Sequence, residues 1–347
     1  MTGRIYLDHA ATTPLLPAAR EAMARGFSAW ANPSSPHAEG REARALIEAA
    51  RARIKAALGW DGHVIFTSGA SEALTIALTR SKATEVLASA TEHDAVLRHV
   101  ASERRLPVDD GGIVRLPDAI APGALFAIQQ ANSETGVIQP LGALATRIHQ
   151  AGAFLLADCS QSAGKLPLPA DADMVVISAH KLGGPIGIGA LLVHDLALLN
   201  PSGGQEQGYR AGTEAMPLAL GFAAALEAPR DWQGDVARWR AQIDAAIAAA
   251  GGEIVAAASP RLPTIASYRM PGRSAQAQLI RFDMAGFAVS AGSACSSGTL
   301  KPSAVLSAMG WDADRAGEVT RVSLGHTTAQ SEIDAFVTQW QALYSGH

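Results

Sequence analysis

Between residues 60 and 195 the chain alternates between short apolar runs and stretches with helical spacing. Val64-Ile65-Phe66, Glu85 to Ala88, Leu125 to Gln129, Ala153 to Ala157, Met174 to Ile177 and Ala190 to Val193 read as buried strands. Ser71 to Arg80, His93 to Glu103 and Leu141 to Gln150 carry apolar residues at helical intervals and read as the intervening helices. The longest basic cluster, Arg98 to Arg105 with His99, reads as the wet face of a helix. Strands alternating with helices predict an α/β fold, a mostly parallel sheet covered by helices on both faces. In such a sheet, ligands gather at the carboxyl ends of the strands, where the loops are.

From about Ala215 the pattern changes. Alanine-rich helical stretches, Ala215 to Glu227 and Val236 to Ala250, lead to short strands at Ile254-Val255 and Thr264 to Tyr268. A helix near Gln276 to Arg281, a strand near Ala288-Val289-Ser290 and a final helix from Gln330 to Tyr344 complete a second, α+β unit. Pro229 interrupts the pattern, so a boundary is placed near residue 228. No heptad is sustained, and the alanine-rich stretches are therefore core helices rather than a coiled coil.

Composition narrows the class. With 347 residues, 48% of them hydrophobic and 17% charged, the chain has enough apolar material for a large core and two domains. A formal net charge of -4 gives no electrostatic footprint for nucleic acid. No apolar run reaches the length of a membrane span, and Met1 to Leu7 lacks the apolar run of an export signal. A cytoplasmic protein is expected. The chain's 2 cysteines, Cys159 and Cys295, make neither a disulfide scaffold nor a cysteine-ligated metal site.

The candidate chemistry lies at the predicted strand ends. Ser178-Ala179-His180-Lys181 follows an apolar run and precedes Gly183-Gly184, which places an amine at a strand end where burial favours its neutral, nucleophilic form. Thr67 to Glu72 opens a helix; it is either an anion site made by backbone N–H groups or an ordinary helix start capped by Ser68 or Ser71. Asp158 ends a strand, as a partner for a cationic ring nitrogen or as a helix cap, and Gln161 follows it. His93 opens a helix, either stacked on an aromatic ligand or as a surface histidine. Cys295 sits among small residues, Ser290 to Gly298, which reads as a loop with an accessible thiol, whereas Cys159 beside a strand end reads as an inert packed one. A lysine, an acid and phosphate donors are together what pyridoxal phosphate needs.

In order and spacing these segments resemble the cysteine desulfurases, NifS/IscS-like group, within the class V, fold-type I pyridoxal phosphate enzymes. Tyr6 to Pro14, Asn32 to Ser35, Phe66 to Glu72, Thr91-Glu92-His93, Asn132 to Gly136 and Asp158 to Lys165 carry the likeness. Ser178 to Gly184, Gly203 to Glu206, Arg210 to Thr213, the Cys295 loop and Arg321 to Gly325 continue it. The resemblance implies a large pyridoxal phosphate-binding domain, residues 13–228, with a mostly parallel seven-stranded sheet, and a small domain, residues 1–12 and 229–347, that carries the cysteine loop. It implies that Lys181 forms a Schiff base with the cofactor, Asp158 pairs with its ring nitrogen, His93 stacks on the ring and Gln161 meets the ring hydroxyl. Ala70, Ser71, Ser178 and His180 would hold the phosphate, with Thr213 supplied by the second subunit of a homodimer. Arg321 would clamp the carboxylate of L-cysteine, with Asn32 and Ser133 also at the substrate. Cys295 would take the sulfur as a persulfide, for delivery to an acceptor protein such as an iron–sulfur scaffold, and no metal is implied.

The chain departs from the family pattern in places. Asn132-Ser133 stands where two asparagines are usual, Gln207 where arginine is common, Thr75 for an asparagine and Ser71 for a threonine. A class V aminotransferase or selenocysteine lyase would use the same Lys181 and Asp158 without depending on Cys295. A non-catalytic sulfur-transfer adaptor would need none of the lysine, aspartate, histidine and cysteine that this chain keeps.

Overall fold

A computed structural model describes residues 3–294, 300–301 and 303–346 of the protein; Cys295 lies outside the described residues. The central sheet has 7 strands: β1 (His63–Thr67), β2 (Val86–Ser89), β3 (Arg105–Leu106), β4 (Leu125–Gln129), β5 (Phe154–Asp158), β6 (Met174–Ser178) and β7 (Gly189–Val193). Their spatial order is β1-β7-β6-β5-β4-β2-β3. From β3 across to β6 every pairing is parallel, and β7 runs antiparallel to both of its neighbours. Every residue of β4, β6 and β7 is buried, which is why these strands appear in the sequence as unbroken apolar runs.

The expected helix His93 to Glu103 is shorter than its pattern suggests. It spans Asp94–Leu97, after which the chain carries Val100 into the core, makes a single 3-10 turn and enters β3. Arg105 therefore lies in a strand rather than on a helix face. A two-residue edge strand with one hydrogen-bonded neighbour needs no apolar run, so nothing in its composition announces it.

The helix Met216–Glu227 packs against the helices Pro17–Phe27 and Ala38–Leu58 and joins the core beneath the sheet. The contact with Pro17–Phe27 is close: a Cβ on Gly26 would sit 2.7 Å from Pro217 Cα. A separate core gathers Leu7 with Val236, Tyr268, Phe282, Phe336 and Trp340. It lies over a three-stranded antiparallel sheet of Val319–Ser323, Ile265–Arg269 and Glu253–Ile254, in that order. The short strand Ile5–Tyr6 pairs in parallel with Phe287–Ala288 and brings the first residues of the chain to this second core. Among the described residues no helix is long and apolar enough to cross a membrane.

One buried ion pair fixes the edge of the main sheet. Arg51 donates to both oxygens of Glu206, at 2.7 and 3.0 Å, and Glu206 also accepts from the backbone N–H of Phe66 on β1. Glu206 and Gln207 hold left-handed backbone conformations, φ 48° and 59°, to make this turn. Removing one partner strands a buried charge. Glu206→Ala is expected to cost about 3–5 kcal/mol of unfolding free energy in urea titrations.

Candidate active site

The parallel strands end together, and their last residues line one edge. Gln129 pairs with Asp158, while Ser178 and Thr67 both pair with Gly189, the first residue of β7. Lys181 follows β6 in the 3-10 turn Ala179–Lys181. Thr13 holds this turn from the other side: its N–H donates to His180 O at 2.8 Å and its hydroxyl to Lys181 O at 3.2 Å. The glycines that follow are needed sterically. Gly183 adopts φ +88°, and a Cβ on Gly184 would come within 2.9 Å of Ala179 Cβ and O.

The Lys181 amine has no hydrogen-bond partner among the described residues. Burial pulls its pKa down to about 8; Asp158 and Asp8 oppose the fall and Arg321 adds to it. His180 is pulled to about 4 by burial and by the charge of Lys181, so it is neutral, and its Nδ1 lies 3.1 Å from the Thr12 hydroxyl. His93 keeps an exposed surface, yet the protein around it is dense enough that desolvation, with Lys181, lowers its pKa. Its Nδ1 accepts from Ala95 N–H at 3.1 Å, which makes it the helix cap and leaves Nε2 free of protein partners among the described residues.

Asp158 caps a local turn with one carboxylate oxygen and leaves the other open. One oxygen, Oδ1, accepts from Ser160 N–H at 2.8 Å and from the Ser160 hydroxyl at 2.5 Å, a local turn cap. The other, Oδ2, takes no hydrogen bond from the described residues. Gln161 donates to Ala10 O at 3.0 Å, and its Oε1 is buried with no partner among the described residues. A buried acceptor without a donor is costly unless something fills its place. Cys159 is fully buried and burial drives its pKa up, so its thiol is the packed, inert one.

The helix Ala70–Arg80 starts at Gly69 with no side-chain cap; neither Ser68 nor Ser71 fills that role. The first amides, including those of Ala70 and Ser71, are thus open to an anion, and a Cβ at Gly69 would meet nothing within 4 Å. Glu72 instead accepts from Ser68 N–H and from Arg210 Nε, contacts that outweigh its partial burial and lower its pKa. The Ser178 side chain makes no hydrogen bond to the described residues.

Arg321, on the strand Val319–Ser323, is nearly buried; it donates to Asp8 Oδ1 at 2.8 Å and to Ser133 O at 3.0 Å. Ser133 thus meets Arg321 through its backbone, not its side chain. Asn32 is exposed, and its side chain accepts from Ser34 N–H within its own turn. None of its hydrogen bonds reaches the residues around Lys181. Thr213 is exposed and makes no hydrogen bond with the described residues.

Several contributors are absent from the expected set. Glu92 Oε1 accepts from Gln129 N–H at 2.7 Å, and Gln129 and Asn132 both donate to Thr91 O, which fixes the backbone leading to His93. Burial raises the pKa of Glu92. Lys165 is half-buried, donates to Gln161 O at 2.9 Å and is pulled to about 7 by desolvation and the charges of Lys181 and Arg230. Glu134 accepts from the Ser303 hydroxyl at 2.5 Å. Asp8, Glu92, Glu134 and Lys165 all fall within the motif segments, but for the three acids only long-range contacts reveal what each one touches.

The profile of the family described as Aminotransferase class-V matches residues 5–336. A protein named cysteine desulfurase from Cereibacter sphaeroides is 36% identical, the match covering 95% of this chain and 93% of that protein. The X-ray structure of a NifS-like protein from Rickettsia africae superposes with a TM-score of 0.90 at 29% identity, covering 98% of this chain and 99% of the other. A structure described as SspA in complex with cysteine matches with a TM-score of 0.80 at 29% identity, over 92% and 99% of the two chains. The chain belongs to the aminotransferase class-V family. Its fold is that of the fold-type I pyridoxal phosphate enzymes, an α/β fold with a mainly parallel seven-stranded sheet.

Because Gly184 leaves no room for a side chain beside Ala179, Gly184→Ala is expected to lose about 1–3 kcal/mol of stability by strain. Thermal denaturation beside the unmodified protein measures this.

Proposed function

We propose that this protein is a cysteine desulfurase that converts L-cysteine to L-alanine and passes the sulfur to its own Cys295. The observation that carries this reading is the desolvated amine of Lys181, without a hydrogen-bond partner among the described residues, on the strand edge it shares with Asp158. The residues present fit pyridoxal phosphate. Lys181 supplies the amine for its aldehyde, Asp158 Oδ2 an open carboxylate oxygen and Gln161 Oε1 an acceptor in need of a donor. The uncapped helix start at Ala70 and Ser71, with Ser178 and His180, supplies donors for its phosphate. Thr213, exposed on its own chain, would complete that set from the second subunit of a homodimer. When bound, the cofactor supplies an electron sink for the pair left behind when the substrate α-proton departs.

The protein's own groups do the rest. Arg321 binds the substrate carboxylate through its guanidinium. Lys181, with a pKa near the working pH, takes the α-proton and returns it. His93, neutral and with Nε2 free, accepts the proton of the Cys295 thiol. The thiolate then attacks the substrate sulfur: the Cβ–S bond breaks, an S–S bond forms, Cys295 carries the persulfide and the carbon skeleton leaves as alanine. We place the two domains at residues 13–228 and at 1–12 with 229–347, and the enzyme in the cytoplasm. A sulfur-accepting protein, such as an iron–sulfur scaffold, is its partner.

Two experiments test the reading. Alanine and sulfide are measured from L-cysteine under reducing conditions with the native enzyme and with Cys295→Ala. The native enzyme is expected to form both, and the variant to lose sulfide formation about a hundredfold or more while still binding cofactor. Sulfide formation that survives the substitution would point to another class V reaction. The apoprotein should also capture added pyridoxal phosphate faster as the pH rises through about 8, because only the neutral Lys181 amine attacks the aldehyde. Stopped-flow absorbance reads this rise, which Lys181→Ala should abolish.

A further inference from the structure

Arg321 is anchored twice before any substrate arrives. Nη2 donates to Asp8 Oδ1 at 2.8 Å, Nη1 donates to Ser133 O at 3.0 Å, and Nε is enclosed without an acceptor. A guanidinium has five N–H donors, two on each terminal nitrogen. The two anchors leave one further N–H on each of Nη1 and Nη2, one donor for each oxygen of a carboxylate. With Nε sealed, that pair is the face left to an incoming anion.

Asp8 holds its anchor from an unusual place. The strap from Ile5 to Thr13 is paired with Phe287–Ala288 at one end and bonded to His180 and Lys181 through Thr12 and Thr13 at the other. Between these ends it follows the Arg321 strand: Asp8 bridges to Ser323, and Ala10 N–H donates to Ser323 Oγ at 2.8 Å. Among the described residues the Asp8 carboxylate accepts only from Arg321. The strap thus links the guanidinium to the backbone that carries the Lys181 amine.

We propose that Asp8 is a positioning residue for substrate recognition: it fixes the guanidinium of Arg321 so that the remaining pair of terminal N–H groups meets the α-carboxylate of the amino-acid substrate. This rests on the reading of Arg321 given under Proposed function. Its physical content is orientation rather than charge, since a second carboxylate beside the substrate's own is repulsive. Asp8→Asn keeps the Oδ1 acceptor and removes the charge, whereas Asp8→Ala removes both.

The test uses the holoenzyme and its Asp8→Ala, Asp8→Asn and Arg321→Lys variants. KM and kcat for L-cysteine are measured, with a spectroscopic titration against cysteamine, which keeps the amine and thiol and lacks the carboxylate. Asp8→Ala should raise KM about tenfold or more, leave kcat within about twofold, and leave cysteamine binding and the melting temperature near those of the native enzyme. Asp8→Asn should restore KM to within about threefold of native. An unchanged KM in Asp8→Ala, equal impairment of the two variants, or equal weakening of cysteamine overturns the proposal. Arg321→Lys separates the two levels. If it leaves KM unchanged, the Arg321 reading fails and Asp8 falls with it; if it raises KM while Asp8→Ala does not, the Asp8 proposal fails alone. Should Asp8→Ala not fold, Asp8→Ser, too short to reach Arg321, carries the same expectation.

Discussion

A desolvated amine with no hydrogen-bond partner among the described residues is the constraint on which this site depends. Desolvation penalises the ammonium of Lys181, and the folded protein bears that cost below about pH 8, shedding it as the pH rises towards the ordinary lysine value near 10.4. The fold concentrates this cost at one place. The 3-10 turn after β6, the glycines beyond it and the backbone bonds from Thr13 hold the amine on the strand edge. Lys165, also depressed by desolvation although its amine donates to Gln161 O, adds a second such cost nearby. Desolvated amines destabilise a fold, and strongly depressed ones cluster at functional sites.

What the sequence could tell follows from the range of each interaction. β4, β6 and β7 are buried on both faces, so their apolar runs report them directly, and Lys181 and Asp158 could be placed at strand ends because the strands themselves were visible. β3 was hidden because an edge strand of two residues carries no pattern of its own. The strand Val319–Ser323 was also missed as an element; Thr320, Arg321 and Ser323 interrupt its apolar residues although all five are buried. The helix at His93 was overestimated because the basic residues after Leu97 have helical composition, yet they stay exposed while Val100 turns the chain into the core. Asp8 and Arg321 are 313 residues apart, and no local rule brings such a pair together.

The departures from the family pattern look different once contacts are known. Ser133 offers Arg321 its carbonyl, which every residue possesses, so this anchor survives the loss of an asparagine side chain. The preceding Asn132 is the structural member of the pair: it accepts from the N–H groups of Glu134 and Thr135 and donates to Thr91 O. Thr75 returns its hydroxyl to Ser71 O within the helix. Gln207 sits at a left-handed backbone position with its exposed side chain against His63, and takes no part in the buried contacts of Glu206 beside it.

The roles proposed for Arg321 and Lys181 fall to different layers of this molecule. Lys181 belongs to the edge of the seven-stranded sheet, Arg321 to the three-stranded sheet above the other core. Two packed bodies in contact shift relative to each other unless something ties them, and a shift of an ångström is enough to spoil the alignment of a reacting group. The strap from Ile5 to Thr13 is one such tie: it hydrogen-bonds to residues of both bodies within a few positions of each other. Gln161 donates to Ala10 O in the same strap, so the turn that carries Asp158 is bound to it as well. The first residues of the chain thereby tie the strand that carries Arg321 to the turn that carries Lys181.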